Sequence, residues 1–490
     1  MLRWRPTLFV LLLCIGALSS GCWNREAVWE ATDAHRSSVV RRGESEADRL
    51  YRHGRDCMDT LERDDCAIDY FEQLIALEPD RRELVGDATF RLVELYRRHD
   101  KADDATLLLR KFWELGMGRI SAGVVPYSTR FAPETVSTLF MVDVAKLEQS
   151  GLHRTLPQDA KDMMFTCDEA RRELLSEQAK ARREAKEQER LAAMTEKERE
   201  EYHNRRKRLR FGRSDDDGKS KSKSKDKDEI QTVYSAGGFC KVAAALGLAD
   251  PRDFEKFLGA SNHADQRESL AIMQIDELET KLGAAVEAGL IVAELAPQIE
   301  GRDLSAMTQG MRDKLRVWTL ADFEYDGAPV QLLTLDRGEL TMAPKAMIPG
   351  LLDARAHDRD RLHPKLQELL GQVPTDVTFV SLITPAATES FMGEMGAMGR
   401  MLPNPAGLMI AAVVYDYAGL FVRVPTEDSL KAWVLLSLAR RLIDTDDEGA
   451  RAGEEDFMGN LDISQTRDGK ALLMTNILTT GAVTNMFLGG

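Results

Sequence analysis

The sequence predicts a multidomain α+β protein, and three changes of pattern along its 490 residues support that class. Apolar side chains recur at helical spacing over residues 44–175, which predicts packed helical hairpins. Residues 176–230 are dominated by charged and small polar side chains, a composition typical of a solvated helix followed by a linker. Over residues 231–490 apolar and polar side chains alternate in short runs, which predicts an antiparallel sheet with helices packed on one face.

The first 21 residues have the three parts of an export signal. Arg3 and Arg5 give a basic start, an apolar run follows from Thr7 to Leu18, and small residues then lead into Cys22. A membrane-spanning helix needs roughly 20 apolar residues, so this run is too short to remain as one. The segment can be an ordinary secretory signal that is removed by cleavage, or an anchor that stays uncleaved.

The residues before Cys22 resemble the signal box of bacterial lipoproteins, although Ser19 stands where that box usually has leucine. The resemblance implies that acyl chains on Cys22 hold the mature protein to a membrane, with residues 22–43 as a tether. In such proteins an aspartate after the cysteine causes retention in the inner membrane, whereas this chain has Trp23. We therefore expect a cell-envelope protein anchored in the outer membrane and facing the periplasm.

The net charge argues against nucleic-acid binding, and the cysteine spacing argues against a zinc site. The formal net charge of -15 argues against nucleic-acid binding, because nucleic acids attract basic surfaces. Cys57 and Cys66 flank a short turn between two predicted helices, so a disulfide can form between them in an oxidising compartment. The pairing stays open, because Cys167 and Cys240 are also present. No C-x-x-C pair occurs, so we expect no zinc site.

The predicted helices of the N-terminal domain contain a repeated arrangement of small and large apolar residues. In AIDYFEQLIALEPD, four apolar residues fall on one helical face, Ala67, Phe71, Leu74 and Leu77, and Pro79 ends the helix. The corresponding places of a second unit hold Tyr96, Ala105, Leu109 and Phe112.

This arrangement resembles that of tetratricopeptide repeats, which implies a surface that binds a protein partner. Gly54, Arg55 and Met58 depart from the repeat pattern, because other side chains are expected at their positions. A helical hairpin that belongs to no named family is the alternative.

Residues 176–230 are predicted to begin as a helix and to end as a polar spacer. Opposite charges four residues apart, such as Lys180 and Glu184, stabilise an isolated helix. The stretch KSKSKSKDKDE cannot bury apolar surface, so we expect it to be disordered. The prediction is a rod and spacer that separate the helical repeats from the sheet domain.

In the C-terminal domain, turn signals join short alternating runs, and helical stretches follow them. The turns fall at Asp326-Gly327, at Arg337-Gly338, near Tyr417–Gly419 and at Asp468-Gly469. The helical stretches are KAMIPGLLDARA, EDSLKAWVLLSLARRLI and GAVTNMFL. The recurrence predicts two similar lobes. It resembles uncharacterised bacterial envelope proteins with a duplicated sheet-and-helix lobe, a resemblance that implies a fold and transfers no functional residue.

One methionine-rich stretch is a candidate for metal chemistry. Met392, Met395, Met398 and Met401 recur every third residue, and thioethers bind Cu(I). Three-residue spacing spreads them over a wide arc of a helix, so packing against the sheet or a partner is favoured over a metal site.

The sequence carries no catalytic motif in a supporting structural context, so we expect no enzymatic activity and no cofactor. The leading hypothesis is a lipid-anchored scaffold that binds a protein partner through its helical repeats. The alternative is a carrier of lipid or another apolar ligand in the C-terminal domain, with the methionine-rich helix and the sheet forming the pocket.

Overall fold

The computed structural model divides the chain into two compact units, residues 1–105 and 106–490. The structure describes residues 44–77, 81–116, 124–197, 199, 240, 243–244, 246–248, 251–265, 268–294, 317–325, 328–336, 338–374, 376–394, 405–447 and 461–488. The predicted signal, its Cys22 and the tether lie outside these ranges. No helix within them is long and apolar enough to cross a bilayer.

The first unit is helical, as predicted. Helix α1 spans Glu46–Arg55 and continues into a π-helical turn, Asp56–Thr60. Helices α2, Asp64–Leu77, and α3, Arg82–Arg98, follow after short connections. The unit ends inside α4, Ala102–Gly116.

The apolar face predicted for α2 is the packed face of that helix. Ala67, Phe71 and Leu74 are completely buried, whereas Leu77, which the sequence predicts on the same face, is 46% exposed at the end of the helix. Gly54 of α1 lies under the Phe71 ring, where an added Cβ would sit 2.5 Å from Cε1. Gly54 departs from the repeat pattern, but the contact shows that it is the small residue at which α1 approaches α2.

The described strands of the second unit form one antiparallel sheet. Its described strands are ordered β11-β12-β10-β9-β8-β1-β2-β3-β7-β6-β5-β4. The α+β class and the antiparallel sheet are thus confirmed. The strands are β1 Thr138–Asp143, β2 Lys256–Ser261, β3 Ser269–Gln274, β4 Ile291–Glu294, β5 Val317–Tyr325, β6 Ala328–Asp336, β7 Glu339–Pro344, β8 Phe379–Ile383, β9 Leu408–Val414, β10 Ala418–Pro425, β11 Asp462–Gln465 and β12 Ala471–Leu478.

Strand β1 corrects the predicted domain boundaries. The sequence predicts helices throughout residues 44–175, yet β1 lies in that range and pairs with two strands of the sheet. Thr138 stands opposite Ser261 of β2 on one side and opposite Ile383 of β8 on the other. The alternation within TLFMVD covers only six residues, so the surrounding helical spacing masks it.

Residues 144–255 therefore form an insertion between two neighbouring strands. The predicted rod begins inside it, as helix α8, Glu169–Ala193. The prediction that this rod separates the helical repeats from the sheet is wrong, because the chain leaves and re-enters the same sheet. The predicted domain range 176–230 is part of the insertion. Its spacer, predicted to be disordered, lies outside the described residues.

Helix α8 is solvated over most of its length, as its charge pattern predicts. The side chain of Asp168 caps its first turn by accepting a hydrogen bond from the backbone N–H of Arg171 at 3.0 Å. Leu175 and Ala179 are buried, and no described side chain of α8 beyond Ala179 is buried. Its 25 residues extend about 37 Å at 1.5 Å per residue.

The hairpins lie where the turn residues and the alternation of apolar and polar side chains predict them. Tyr325 pairs with Ala328 across one turn, and Asp336 pairs with Glu339 across the next. Gly338 and Gly469 have φ of +69°, a conformation that favours glycine. Helical segments follow three of the hairpins, at the stretches that the sequence predicts. The prediction of two similar lobes stays a prediction.

The burial of the sheet differs along its width. Strands β1 and β9 alternate buried and half-buried residues, whereas β7 is buried at all six positions and is covered on both faces. The helices of the second unit beyond α4 and α8 are α5 Val144–Gln149, α6 Gly151–Thr155, α7 Gln158–Phe165, α9 Leu278–Glu287, α10 Ile348–Ala356, α11 Pro364–Leu370, α12 Pro385–Glu394, α13 Ser429–Asp447 and α14 Thr480–Leu488, with short 3₁₀ segments Tyr127–Phe131, Pro251–Asp253 and Lys345–Met347.

A core cluster fills one face between α9 and the strands β2 to β7. Leu278 and Leu282 of α9 pack there with Met273 of β3 and Leu340 of β7. The opposite face of the same strands carries Lys256, Gln274 and Glu339, since neighbouring residues of a strand point to opposite faces. That second face forms the cavity described next.

Candidate functional site

A cavity of about 590 Å³ lies within the second unit. Three parts of the chain line it: residues 124–130, the ends of strands β2, β3 and β7, and residues 360–373, which include α11. Its volume falls in the range of about 300–1,000 Å³ that is usual for small-molecule sites. The segments are far apart in sequence and meet only through the sheet.

A row of four polar side chains crosses the strand ends beside this cavity. Asp143 stands opposite Lys256, Lys256 opposite Gln274, and Gln274 opposite Glu339. Directly opposed residues share a face with Cβ atoms about 5 Å apart. We name Asp143, Lys256, Gln274 and Glu339 the polar row. Its last three members line the cavity.

Glu339 fixes the segment that forms one wall. Its Oε1 accepts a hydrogen bond from the backbone N–H of Tyr127 at 2.7 Å, and its Oε2 accepts one from the N–H of Ser128 at 2.8 Å. These donors belong to the first turn of the 3₁₀ segment Tyr127–Phe131, whose N–H groups lack helical partners. The buried carboxylate therefore anchors residues 127–131 to the sheet.

Arg130 joins that wall to residues 358–361. Its guanidinium pairs with Asp360 and lies 3.2 Å from Oδ1 of Asp358, while Nη1 donates to the Tyr127 hydroxyl at 2.7 Å. The hydrogen bond with Asp360 raises the pKa of Arg130. Partial removal from water, and then the hydrogen bond that its hydroxyl donates to Asp358, raise the pKa of Tyr127. Arg130 thus links two walls of the cavity through ion pairs and a hydrogen bond.

Lys256 places a positive charge in the middle of the polar row. Its Nζ lies 3.9 Å from Oδ2 of Asp143, at the long end of ion-pair distances. Asp143 also caps α5, where its Oδ1 accepts a hydrogen bond from the N–H of Lys146 at 3.0 Å. The apolar part of the lining comes from Val124, Val125, Pro126, Leu362, Leu370 and Val373.

The site residues that the sequence predicts lie elsewhere. Cys57 and Cys66 form a disulfide in the first unit, with Cα atoms 5.8 Å apart. A second disulfide joins Cys167 and Cys240, a pairing that the sequence leaves open. Met395, Met398 and Met401 lie outside the described residues. Within the described ranges, no three His, Cys, Asp or Glu side chains come close enough together to hold a metal ion.

Sequence reasoning misses the cavity because its polar residues carry no local motif. Lys256 and Gln274 are single polar residues at the ends of apolar strands, and Glu339 follows a hairpin turn. Only the strand register brings these three side chains into one row. The Arg337-Gly338 turn signal places Glu339 at a strand start, which is the one clue available from the sequence.

The first unit has a smaller cleft of about 390 Å³ beside the π-helical turn. Tyr51, Arg55 and Asp59 contribute to its walls. Below the cleft, the buried Arg91 donates to Asp87 at 2.7 Å and to Asp59 at 3.1 Å, which ties the turn to α3.

Comparison with known proteins yields one weak structural neighbour. No protein family and no curated protein sequence matches this chain. The crystal structure of the Treponema envelope protein TP0453 aligns with a TM-score of 0.31 and 6% sequence identity, over 75% of this chain and 98% of that chain. A TM-score this low does not establish a shared fold.

Proposed function

We propose that this chain is a lipid-anchored protein of the bacterial cell envelope whose second unit binds a small amphipathic molecule. The cavity of about 590 Å³ is the observation that carries the proposal. Its lining combines apolar residues such as Leu370 and Val373 with three members of the polar row, Lys256, Gln274 and Glu339. Binding sites of this size commonly join apolar walls to a few placed polar groups.

The test is to identify what the purified protein carries. The full chain is purified from its native membrane, and its non-covalently bound molecules are extracted and measured by mass spectrometry. Leu370→Trp fills the cavity and should remove the bound molecule. Leu430→Trp, at a position 68% exposed on α13, is the matched control and should keep it. Equal loads in both variants, or an empty wild-type protein, would reject the carrier function.

The anchor is a separate part of the proposal. The residues before Cys22 support it, because they resemble a lipoprotein signal box. Replacing Cys22 with Ser should move the protein from the membrane fraction to the soluble fraction, since the acyl chains supply the attachment. A variant that remains in the membrane fraction after a carbonate wash would contradict lipidation at this residue.

A protein-binding scaffold is the second candidate function. The cleft of the first unit supports it, because an aromatic ring and charges of both signs surround it. Arg55→Glu reverses one of those charges and should weaken capture of an envelope partner by the immobilised full chain. Arg98→Glu on α3 is the control, because both arginine side chains are about equally exposed, at 45% and 44%. Equal capture by both variants would argue against the cleft as the contact surface.

A further inference from the structure

We infer that the ligand of the cavity has an uncharged head group that carries a hydroxyl, as a long-chain alcohol does. This inference rests on the proposed function and names the class of ligand: a neutral amphipathic lipid. Its hydroxyl would exchange hydrogen bonds with Thr129 and Gln274, two uncharged residues of the lining. Its alkyl chain would contact the apolar residues, such as Leu370 and Val373.

The charged side chains of the lining balance one another. Among the described residues that line the cavity, Arg130 and Lys256 are positive, and Glu339 and Asp360 are negative. The two positive and two negative groups leave no net formal charge. A net charge on the ligand therefore gains little from the lining as a whole.

Protein groups already engage all four of these charged side chains. Both oxygens of Glu339 accept backbone hydrogen bonds from the Tyr127–Phe131 segment, and Arg130 pairs with Asp360. Lys256 has an acidic neighbour in the polar row and makes a further interaction within the protein. A charged head group would lose its hydration and meet counter-charges that are already paired, which is costly.

Two uncharged side chains of the lining lack hydrogen-bond partners. Thr129 is 2% exposed, and its Oγ1 has no partner within the described residues. The half-buried Gln274 side chain makes no hydrogen bond in the part of the chain that the structure describes. A buried polar group without a partner is costly, so a ligand that supplied the missing hydrogen bonds would be stabilised by them.

Strand register places these two side chains near each other. Gln274 stands directly opposite Glu339, and Oε2 of Glu339 holds the backbone N–H of Ser128, the residue before Thr129, at 2.8 Å. A hydroxyl and an amide each donate and accept hydrogen bonds. A ligand hydroxyl also donates and accepts, and therefore matches both, whereas a carboxylate only accepts.

The experiment compares two probes of equal chain length on the full protein at pH 7.5. Radiolabelled hexadecan-1-ol and hexadecanoic acid are titrated separately, and the bound fraction is measured after gel filtration. The acid is a carboxylate at this pH. We expect the wild-type protein to bind the alcohol at least about ten-fold more tightly, because the carboxylate must be removed from water without a free partner.

Two substitutions test the proposed contacts. Thr129→Val replaces the hydroxyl with a methyl group, and Gln274→Met removes the amide while keeping the length of the side chain. Each should weaken binding of the alcohol about three- to ten-fold, the effect of losing one hydrogen bond. Binding of the acid should change less than two-fold, and thermal unfolding should occur no earlier than in the wild type, because neither side chain loses a hydrogen bond within the protein.

Thr341→Val is the matched control for Thr129→Val. Thr341 of β7 is also buried, and its Oγ1 also has no partner within the described residues, but it is not part of the cavity lining. Thr341→Val should therefore bind both probes as the wild type does. Equal binding of the alcohol by Thr129→Val and Thr341→Val would overturn the contact with Thr129.

The outcomes separate the head group from the carrier function. If the wild-type protein binds the acid at least as tightly as the alcohol, or binds neither probe, the assignment of a neutral head group is wrong. The carrier function is judged independently, by the extraction described above. It fails if Leu370→Trp and Leu430→Trp carry equal loads.

Discussion

At the scale of single residues, Gly54 sets the distance between α1 and α2. An added Cβ would meet Cε1 and Cδ1 of Phe71 at 2.5 and 2.7 Å, well inside van der Waals contact. Gly54→Ala should therefore destabilise the first unit by about 1–3 kcal/mol, the usual cost of overpacking, even though alanine favours a helix. Calorimetry of the full chain measures the loss.

Gly283 of α9 provides the matched control, because nothing lies within 4 Å of the position that an added Cβ would take. Gly283→Ala should stabilise the second unit slightly, by about 0.5–1 kcal/mol. Similar effects of the two substitutions would show that helix propensity, and not the Phe71 contact, determines the result.

Glu339 is a residue whose removal should loosen the cavity wall. Glu339→Gln leaves one carbonyl oxygen for two backbone donors and turns an N–H₂ group toward the other. We expect a loss of about 1–3 kcal/mol in the free energy of unfolding, because a buried N–H loses its acceptor. Thermal unfolding measures it. Glu287→Gln, on the exposed end of α9, should cost almost nothing; a similar loss in both would remove the anchoring role of Glu339.

His53 makes the stability of the first unit depend on pH. The ring is 4% exposed, and its Nε2 has no hydrogen-bond partner within the described residues. Burial first, and then the nearby charge of Arg52, lower the pKa of His53 below its usual value of 6.5. The unfolded chain therefore binds a proton at a higher pH than the folded chain, so stability is complete above about pH 6.5 and falls below it.

The corresponding experiment compares the wild type with His53→Leu between pH 7.5 and 5. The wild-type protein should lose stability of the first unit as the pH falls, and the variant should lose less, so the stability of the variant relative to the wild type should rise. A constant difference across this range would mean that His53 keeps an ordinary pKa. His153→Leu tests the same effect in the second unit, because burial also lowers the pKa of His153.

At the scale of elements, the sequence predicts the hairpins well and β1 poorly. A glycine with positive φ marks two of the turns, and these signals are local. Strand β1 has no adjacent turn partner, since both neighbours, β2 and β8, come much later in the chain. The 3₁₀ segment Tyr127–Phe131 precedes its six residues, and helix α5 follows them. Pairing with strands that lie far away in the sequence leaves no periodic signal outside the strand itself. The sequence therefore does not indicate that β1 belongs to the sheet, and the predicted end of the helical domain at residue 175 is wrong.

The same limit applies to the candidate site. The α2 face is predictable because Ala67, Phe71 and Leu74 lie on one helix at regular spacing. Lys256, Gln274 and Glu339 lie on three strands, and their common position depends on register and not on spacing. Cys57 and Cys66 are close in sequence and suggest their own pairing, whereas Cys167 and Cys240 are 73 residues apart.

The Cys167–Cys240 disulfide should hold the two ends of the insertion together after the chain is cut. A specific protease site is placed between Ser222 and Lys223, and the folded protein is cleaved there. A denaturing gel without reductant should show the full mass, and reductant should give two fragments. Cys240→Ser is the control and should give two fragments without reductant. Fragments that separate in the wild-type lane without reductant would contradict the bond.

At the scale of the whole molecule, the charged segment is part of an insertion in one sheet and is not a connection between two domains. The sequence suggests a rod between two domains, whereas the pairing of β1 with β2 makes residues 144–255 an excursion from one sheet. Cleavage as above, in reductant but without denaturant, should leave the two fragments associated, because β1 still pairs with β2 and β8. Gel filtration tests this, and elution as separate fragments would show that those contacts are too weak to hold the sheet.

The position of β1 also imposes an order on biogenesis. A chain that emerges from its N-terminus delivers β1 early, yet its neighbour β2 begins at Lys256 and its other neighbour β8 begins at Phe379. Until Ile383 has emerged, the central strand has an unpaired edge with apolar side chains, a state prone to aggregation. Under the export proposed above, the protein should therefore require a holding chaperone until most of the polypeptide has emerged.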